Sequence, residues 1–114
     1  MNITIWKKNI REIVQDIASR ESQERAWFGK SEQISSPDEL YNSLFDDFLF
    51  DAFLASSEVN LSSLQKELGM RLSSSLKEYS PQGQELPSPR KMVRDPSWQK
   101  VRDIARAFER SLDH

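Results

Sequence analysis

The segment LFDDFLFDAFL, Leu44 to Leu54, mixes apolar and acidic side chains in a way that constrains how the chain around it folds. Eight of its eleven residues are apolar or aromatic, and the other three are Asp46, Asp47 and Asp51. Residues 31–65 contain no lysine or arginine, so no cation nearby in the sequence neutralises these aspartates. Such carboxylates either cap a helix or face a partner, and the sequence by itself leaves both readings open.

A single straight helix through this segment is unfavourable. At about 100° per residue, Asp51 falls between Leu40 and Leu44 on the helical wheel, and Asp47 falls about 20° outside Leu40. One helix would therefore push a carboxylate into the core. The sequence predicts a kink or break near Asp46 and Asp47, one of which then caps a second short helix.

Upstream of this segment, the apolar spacing of three and four predicts a helix from about Ile5 to Ser19. The stretch ESQERAWF is expected to continue as a shorter helical piece that Gly29 ends. In SSPDEL, Ser36 is a predicted N-cap, proline takes the first helical position, and Glu39 reaches back to complete a capping box.

Downstream, Asn60 is predicted to cap a helix that runs to Tyr79 with Gly69 weakening its middle. The stretch SPQGQELPSPRK, residues 80–91, is rich in proline and is expected to be a loop. Asp95 is predicted to cap a closing helix that has proline at its first position.

No segment alternates with period two, so we expect an all-α fold. The predicted architecture is one domain, residues 1–114, forming a compact bundle of four to five helices.

Aromatic residues on the apolar helical faces are predicted to form the core. They are Trp6, Trp27, Phe45, Phe48, Trp98 and Phe108. Phe50, Phe53 and Leu54 lie in a segment that is apolar on more than one face. We expect them either to be central in the bundle or to cover a partner.

The charges are distributed asymmetrically along the chain. Residues 31–65 carry seven anions and no cation, whereas the flanking regions are net positive and bring the total to −2. The chain has no cysteine, its first residues lack a secretory signal, and no stretch approaches the roughly 20 apolar residues that span a bilayer. These features predict a cytoplasmic protein without a membrane segment.

The sequence offers little material for catalysis. Its only histidine is His114, so histidine-based acid–base chemistry has no plausible centre. Asp47 and Asp51 could face one cation, but a complete shell needs several more oxygens and no EF-hand pattern is present. We therefore expect no enzymatic activity, no cofactor and no metal.

One alternative is a DNA-binding regulator. Residues Leu64 to Tyr79 loosely resemble a helix-turn-helix, with Gly69 as the turn, and three arginines at positions 102, 106 and 110 form a stripe. Gln65 stands where that motif usually has alanine, and the surroundings lack the basic excess that DNA phosphates require. Nucleic acid is therefore not the expected partner. A structural or adaptor domain is the other alternative.

Three segments, QERAWF (23–28), SSPDELYNSLFDDFLFDAFL (35–54) and DPSWQKVRDIARAF (95–108), together resemble immunity proteins of bacterial contact-dependent growth inhibition systems. The resemblance implies a cytoplasmic protein of the toxin-producing cell that binds and blocks the C-terminal domain of its cognate toxin. Some of these toxins are nucleases, including ribonuclease-A-like ones.

A nuclease active site is cationic because it holds phosphates, so an inhibitor gains association rate and selectivity by presenting carboxylates to it. The acidic region without cations suits that role, and aromatic residues within it would supply buried anchors. We therefore expect a monomer that binds the toxin. The predicted toxin-binding residues are Glu39, Tyr41, Asp46, Asp47, Phe50, Asp51 and Glu58.

Overall fold

The computed structural model describes residues 2–28, 36–80 and 86–112, which form helices and connecting turns. The helices are α1 (Ile3–Ala18), α2 (Arg20–Trp27), α3 (Pro37–Tyr41), α4 (Phe50–Ala55), α5 (Ser63–Tyr79), α6 (Pro89–Arg94) and α7 (Pro96–Ser111), and a π-helical segment, Asn42–Asp47, follows α3 directly. The described residues contain no strand, which confirms the all-α prediction. The predicted bundle of four to five helices is not confirmed, because the described residues form seven α-helices, three of which have only five or six residues.

The first two helices are separated by one residue that serves both of them. The Asn2 side chain accepts a hydrogen bond from the backbone N–H of Ile5 and so starts α1. Ser19 ends α1 in an extended conformation, and its hydroxyl caps α2 by accepting from the N–H of Ser22 at 3.1 Å. The predicted continuation into a short helix is confirmed, while Gly29 lies outside the described residues.

The start of α5 corrects the prediction that Asn60 is its cap. Asn60 instead adopts a left-handed backbone conformation with φ 56°, which asparagine tolerates better than most residues. The capping box is formed by Ser62 and Gln65, whose side chains each accept from the backbone N–H of the other. The helix therefore starts at Ser63.

The predicted loop at residues 80–91 is corrected in part, because its last residues belong to a helix, while residues 81–85 lie outside the described residues. Ser88 caps the short helix α6, and Pro89 occupies its first position, where the missing N–H has no intrahelical partner to lose. Asp95 ends α6 and caps α7, and its Oδ1 accepts from the N–H of Ser97 at 2.9 Å. The predicted start of the last helix is confirmed, since Pro96 is its first residue.

The core lies where α1 and α5 pack against α7. Phe50, Phe53 and Leu54 belong to it, with relative exposures of 0%, 0% and 6%, so these residues are central in the fold. The edge-to-face contact of Phe50 with Phe108, at a centroid distance of 5.7 Å, fixes α4 against α7. Of the six predicted core aromatics, three are buried, namely Trp27, Trp98 and Phe108, and three are half-buried against the core, namely Trp6, Phe45 and Phe48.

Two buried polar side chains tie α2 to α7. Gln23 Oε1 accepts from Trp98 Nε1 at 3.0 Å and from Arg102 Nε at 2.9 Å. Gln23 Nε2 donates to the carbonyls of Asp16 and Ile17 near the end of α1. Since a buried polar group without a partner costs about 1–3 kcal/mol, this set of bonds specifies how α1, α2 and α7 meet.

No helix among the described residues is long and apolar enough to cross a membrane.

Candidate docking site

The chain breaks between the π-helical segment and α4, as the positions of the aspartates predict. Leu49 joins the two with a left-handed backbone conformation, φ 50° and ψ 57°. Trp6 of α1 holds the break from the other side, because its Nε1 donates to the Phe48 carbonyl at 2.6 Å. The break keeps Leu44, Phe50 and Phe53 in the core without burying a carboxylate beside them.

Asp46 and Asp47 lie at the end of the π-helical segment, and both are exposed. The prediction that one of them caps the next helix is wrong, because Leu49 is the N-cap of α4 and no side chain bonds there. Neither aspartate forms an ion pair or a hydrogen bond with the described residues. Both carboxylates therefore remain available to a partner.

Asp51 has partners that its sequence neighbourhood does not show. Its Oδ1 accepts from the Ser73 hydroxyl at 2.7 Å, and its Oδ2 accepts from Lys77 Nζ at 2.7 Å. Partial burial raises the pKa of Asp51, but the bonds from Lys77 and Ser73 outweigh this and lower the pKa below its ordinary value. Asp51 therefore joins α4 to α5, and its charge is neutralised within the fold.

Glu39 stands in α3, whose N-cap is Ser36 as predicted, but the predicted capping box is not completed, because among the described residues no bond joins the Glu39 side chain to the Ser36 N–H. The Ser36 hydroxyl accepts from the Glu39 N–H at 3.4 Å, with Pro37 as the first helical residue.

The Glu39 side chain is exposed and lines a cleft of about 340 Å³ that Asp16 of α1 also lines. Burial and the nearby Glu12 carboxylate raise the pKa of Asp16. Arg25 of α2 also lines this cleft, so acidic groups from α1 and α3 meet there beside one cation.

Glu58 lies in the turn between α4 and α5 and is exposed. It forms no ion pair with the described residues. Among the residues that the structure describes, Glu39, Asp46, Asp47 and Glu58 are therefore solvent-exposed carboxylates without a cationic partner, and Asp51 is set apart from them.

Neither of the two predicted aromatic anchors is fully exposed. Phe50 is fully buried, and Tyr41 is half-buried with its hydroxyl donating to the Leu76 carbonyl at 2.7 Å. Tyr41 also stacks on Trp98 at a centroid distance of 6.5 Å. Both residues contribute to packing, and presenting Phe50 to a partner would require α4 to leave the core.

Leu49 is an exposed apolar residue that sequence reasoning missed. Its relative solvent exposure is 44%, and it lies two residues after Asp47. The helical periodicity of the sequence did not predict that Leu49 is exposed, because its exposure depends on the left-handed backbone conformation at this residue. The only sequence signal was the conflict between apolar and acidic positions, which located the break but not its geometry.

The helix-turn-helix alternative loses its geometric basis. Residues Ser63–Tyr79 form one continuous helix through Gly69, so no turn separates two helices there. The predicted arginine stripe is also incomplete as a surface, since Arg102 is buried and Arg106 donates to the Ala18 carbonyl. Within the part of the chain that the structure describes, no three histidine, cysteine or acidic side chains come together as metal ligands.

Comparisons of this chain with models of protein families, with curated protein sequences and with solved structures found no match. The resemblance to immunity proteins therefore rests on the three quoted sequence segments alone.

Proposed function

We propose that this protein is an immunity protein that binds and inhibits the C-terminal domain of a cognate contact-dependent growth inhibition toxin, which we take to be a nuclease. The carboxylates of Glu39, Asp46, Asp47 and Glu58 would enter or surround the cationic active site and exclude the nucleic-acid backbone. In this proposal the protein is a monomer in the cytoplasm of the toxin-producing cell and has no catalytic activity of its own.

The observation that supports the proposal is that these carboxylates are exposed and form no ion pair within the described part of the chain. A protein gains little stability from exposed carboxylates that no cation pairs with, and repulsion between like charges opposes folding. Asp51 shows the alternative arrangement, because a lysine and a serine satisfy it within the fold. Unpaired carboxylates in a stretch without cations are a suitable surface for a basic partner.

In this proposal Leu49 supplies the apolar contact with the toxin. It replaces Phe50 and Tyr41, which the sequence predicted for that role. Interfaces are held mainly by a few residues that become fully desolvated on binding, with charged residues around them. Leu49 is exposed close to Asp46 and Asp47, so it can enter a pocket of the toxin while the aspartates contact surrounding cations. Asp51 has a structural role in this version of the site.

The proposal is tested with the C-terminal domain of a toxin encoded by a neighbouring gene. Association and dissociation rates are measured at low and physiological salt for Asp46→Asn/Asp47→Asn and for Leu49→Ala. The aspartate variant should associate about tenfold more slowly at low salt and show a smaller salt dependence. The leucine variant should dissociate about tenfold faster.

The matched control is Lys7→Gln/Lys8→Gln, which removes two adjacent, exposed positive charges from α1. Their sign is opposite to that of Asp46 and Asp47. The lysine variant should leave dissociation unchanged and should not slow association. If the aspartate variant binds like the parent protein at both salt concentrations, the exposed carboxylates of Asp46 and Asp47 are not where the toxin docks. Failure to inhibit the toxin's nuclease activity at saturating concentration would contradict the function itself.

A further inference from the structure

A second groove, separate from the acidic region, lies between α2 and α6. It has a volume of about 820 Å³, within the range of about 300–1,000 Å³ that is common for ligand sites. Arg20, Trp27 and Phe28 line one side of the groove, and Arg90, Val93 and Arg94 line the other. Its walls therefore combine guanidinium groups with aromatic and aliphatic surface.

The groove has an excess of positive charge. Arg20 Nε pairs with Glu24 at 3.0 Å, so those two charges cancel. Arg90 and Arg94 are exposed and form no ion pair with the described residues. They stand four residues apart on α6, which places their side chains on the same face of the helix about 5–6 Å apart at Cβ.

A buried guanidinium lies beneath the groove. Arg102 is buried, and its Nη2 donates to the carbonyl of Val93 in the groove wall at 3.1 Å. Its other hydrogen bonds go to the amide oxygens of Gln23 and Gln99, so no carboxylate accepts from it. Burial is the main cause that lowers the pKa of Arg102, and the nearby Arg20 adds to it, while the carboxylates of Glu24 and Asp103 act in the opposite direction.

The apolar part of the wall requires a ligand that is not purely ionic. The relative solvent exposure of Phe28 is 37%, and that of Trp27 next to it is 9%. Val93 faces the same groove from α6. Hydrated anions such as free phosphate would leave this surface in contact with water, whereas a ligand with both carboxylates and an apolar side chain would cover it.

We propose that this groove binds an extended acidic peptide segment of a partner protein, with two carboxylates on Arg90 and Arg94 and an apolar side chain against Phe28. Alternate residues of an extended chain lie about 6.6 Å apart on the same side, which matches the spacing of the two arginines. Arginine holds carboxylates through paired hydrogen bonds in a fixed plane. This inference stands independently of the acidic surface and its toxin.

Nucleic acid fits the groove less well than an acidic peptide does. Glu24 in the wall offsets Arg20, so only Arg90 and Arg94 are left to hold the many phosphates of a nucleic-acid backbone. The whole chain carries a net charge of −2, which opposes the approach of a polyanion. A short peptide with few charges meets less of this repulsion and uses the apolar wall as well.

The probe is a fluorescently labelled hexapeptide of alternating aspartate and leucine, and binding to the full chain is followed by anisotropy at about 20 mM salt, where charges are weakly screened. The aspartate peptide should bind with a measurable affinity that falls as salt is added. The variant Arg90→Gln/Arg94→Gln should weaken it about tenfold or more, and Phe28→Ala should weaken it several-fold. Thermal unfolding checks that each variant is folded.

The matched control variant is Lys7→Gln/Lys8→Gln, which removes the same charge from α1 and should leave peptide affinity within about twofold of the parent. An asparagine–leucine hexapeptide should bind at least about tenfold more weakly than the aspartate peptide. The proposal is overturned if the aspartate peptide does not bind, or if both double variants lose affinity equally. It is also overturned if a ten-residue oligothymidylate binds more tightly, or if sedimentation shows a second copy of the chain occupying the groove.

Discussion

Leu49 adopts a backbone conformation that is uncommon for a residue with a Cβ atom. Its φ of 50° places it in the left-handed region, which costs a non-glycine residue about 1–2 kcal/mol. The side chain gains little from burial in return, since 44% of it is exposed. Such strain is kept where the surrounding structure requires it, here by the buried residues on both sides of the break.

Replacing Leu49 with glycine should leave the free energy of unfolding unchanged or raise it by up to about 1 kcal/mol. The substitution relieves the left-handed strain but adds backbone entropy to the unfolded chain, and the first effect is the larger. Urea unfolding measures the difference. Met70→Gly is the control, because Met70 is similarly exposed within α5 and its replacement should cost about 1 kcal/mol. Equal losses for both variants would contradict the strain at Leu49.

Asp51 stabilises the fold through Lys77 and Ser73, and this contribution depends on pH. The folded-state pKa lies below the unfolded value of about 3.9, so the contribution is present above that pH and is lost as the pH falls through the folded-state pKa. Since both members of the ion pair are more than half exposed, it is worth at most about 1 kcal/mol.

The variant Asp51→Asn should therefore lower the free energy of unfolding at pH 7 by up to about 1 kcal/mol, and the difference from the parent protein should shrink as the pH falls below about 3.9. Urea unfolding at several pH values measures this. Asp47→Asn removes an exposed and unpaired carboxylate and serves as the control, with no loss expected at pH 7. A loss for Asp51→Asn that is the same at pH 3 and pH 7 would mean that the ionised carboxylate is not its source.

At the scale of the element, Gly69 allows α5 to approach its neighbours closely. A Cβ atom at this position would lie 2.4 Å from Leu54 Cδ2 and 3.1 Å from Phe108 Cε1. The sequence indicated only a weakened helix here, because glycine costs about 1 kcal/mol relative to alanine in a helix interior. The structure shows what offsets that cost, namely close packing of α5 against α4 and α7.

The variant Gly69→Ala should destabilise the protein by about 1 kcal/mol overall. Overpacking of a core costs about 1–3 kcal/mol, and the better helix propensity of alanine returns about 1 kcal/mol. In a Leu54→Ala background the nearest contact is removed, so the same substitution should become neutral or stabilising. Chemical unfolding of the four proteins of this double-mutant cycle measures the coupling. Additive effects would show that Leu54 does not limit the space at Gly69.

At the scale of the whole molecule, both tyrosines of the chain couple their ionisation to folding. Burial and the neighbouring Tyr79 raise the pKa of Tyr41. Burial and the hydrogen bond to Asp95 raise the pKa of Tyr79, with the Asp95 charge adding to the effect. Because both pKa values are raised in the folded state, their contribution to stability is present below the unfolded value of about 10 and is lost as pH rises above it.

Unfolding of the parent protein should therefore begin above about pH 10, together with a cooperative rise in tyrosinate absorbance. The absorbance at 295 nm and the helical circular dichroism, followed in one titration, should change at the same pH. Tyr79→Phe removes one of the two phenols and should shift the loss of helix to higher pH. Tyrosinate absorbance that rises near pH 10 while the helices remain intact would contradict the coupling.

The sequence determined several features that depend on one helical turn, although it placed the N-cap of α5 at Asn60 where the structure has Ser62. Asp95 with proline after it, and Ser36 with proline after it, start their helices as predicted because cap, first residue and N–H groups are neighbours in the chain. The alternation of apolar and acidic residues likewise located the break before α4, since a straight helix would have buried a carboxylate. The all-α fold and the exposed aspartates at positions 46 and 47 follow from these local rules.

The tertiary structure decided which of the acidic and aromatic residues remain at the surface. Asp51 meets Lys77 across 26 positions of the chain, so no local pattern separates it from Asp47. Phe50 lies in the core because Phe108 packs on it, and Leu49 is exposed because its backbone turns the opposite way. These outcomes depend on contacts between helices that are distant in sequence, and helical periodicity carries no information about which helices meet.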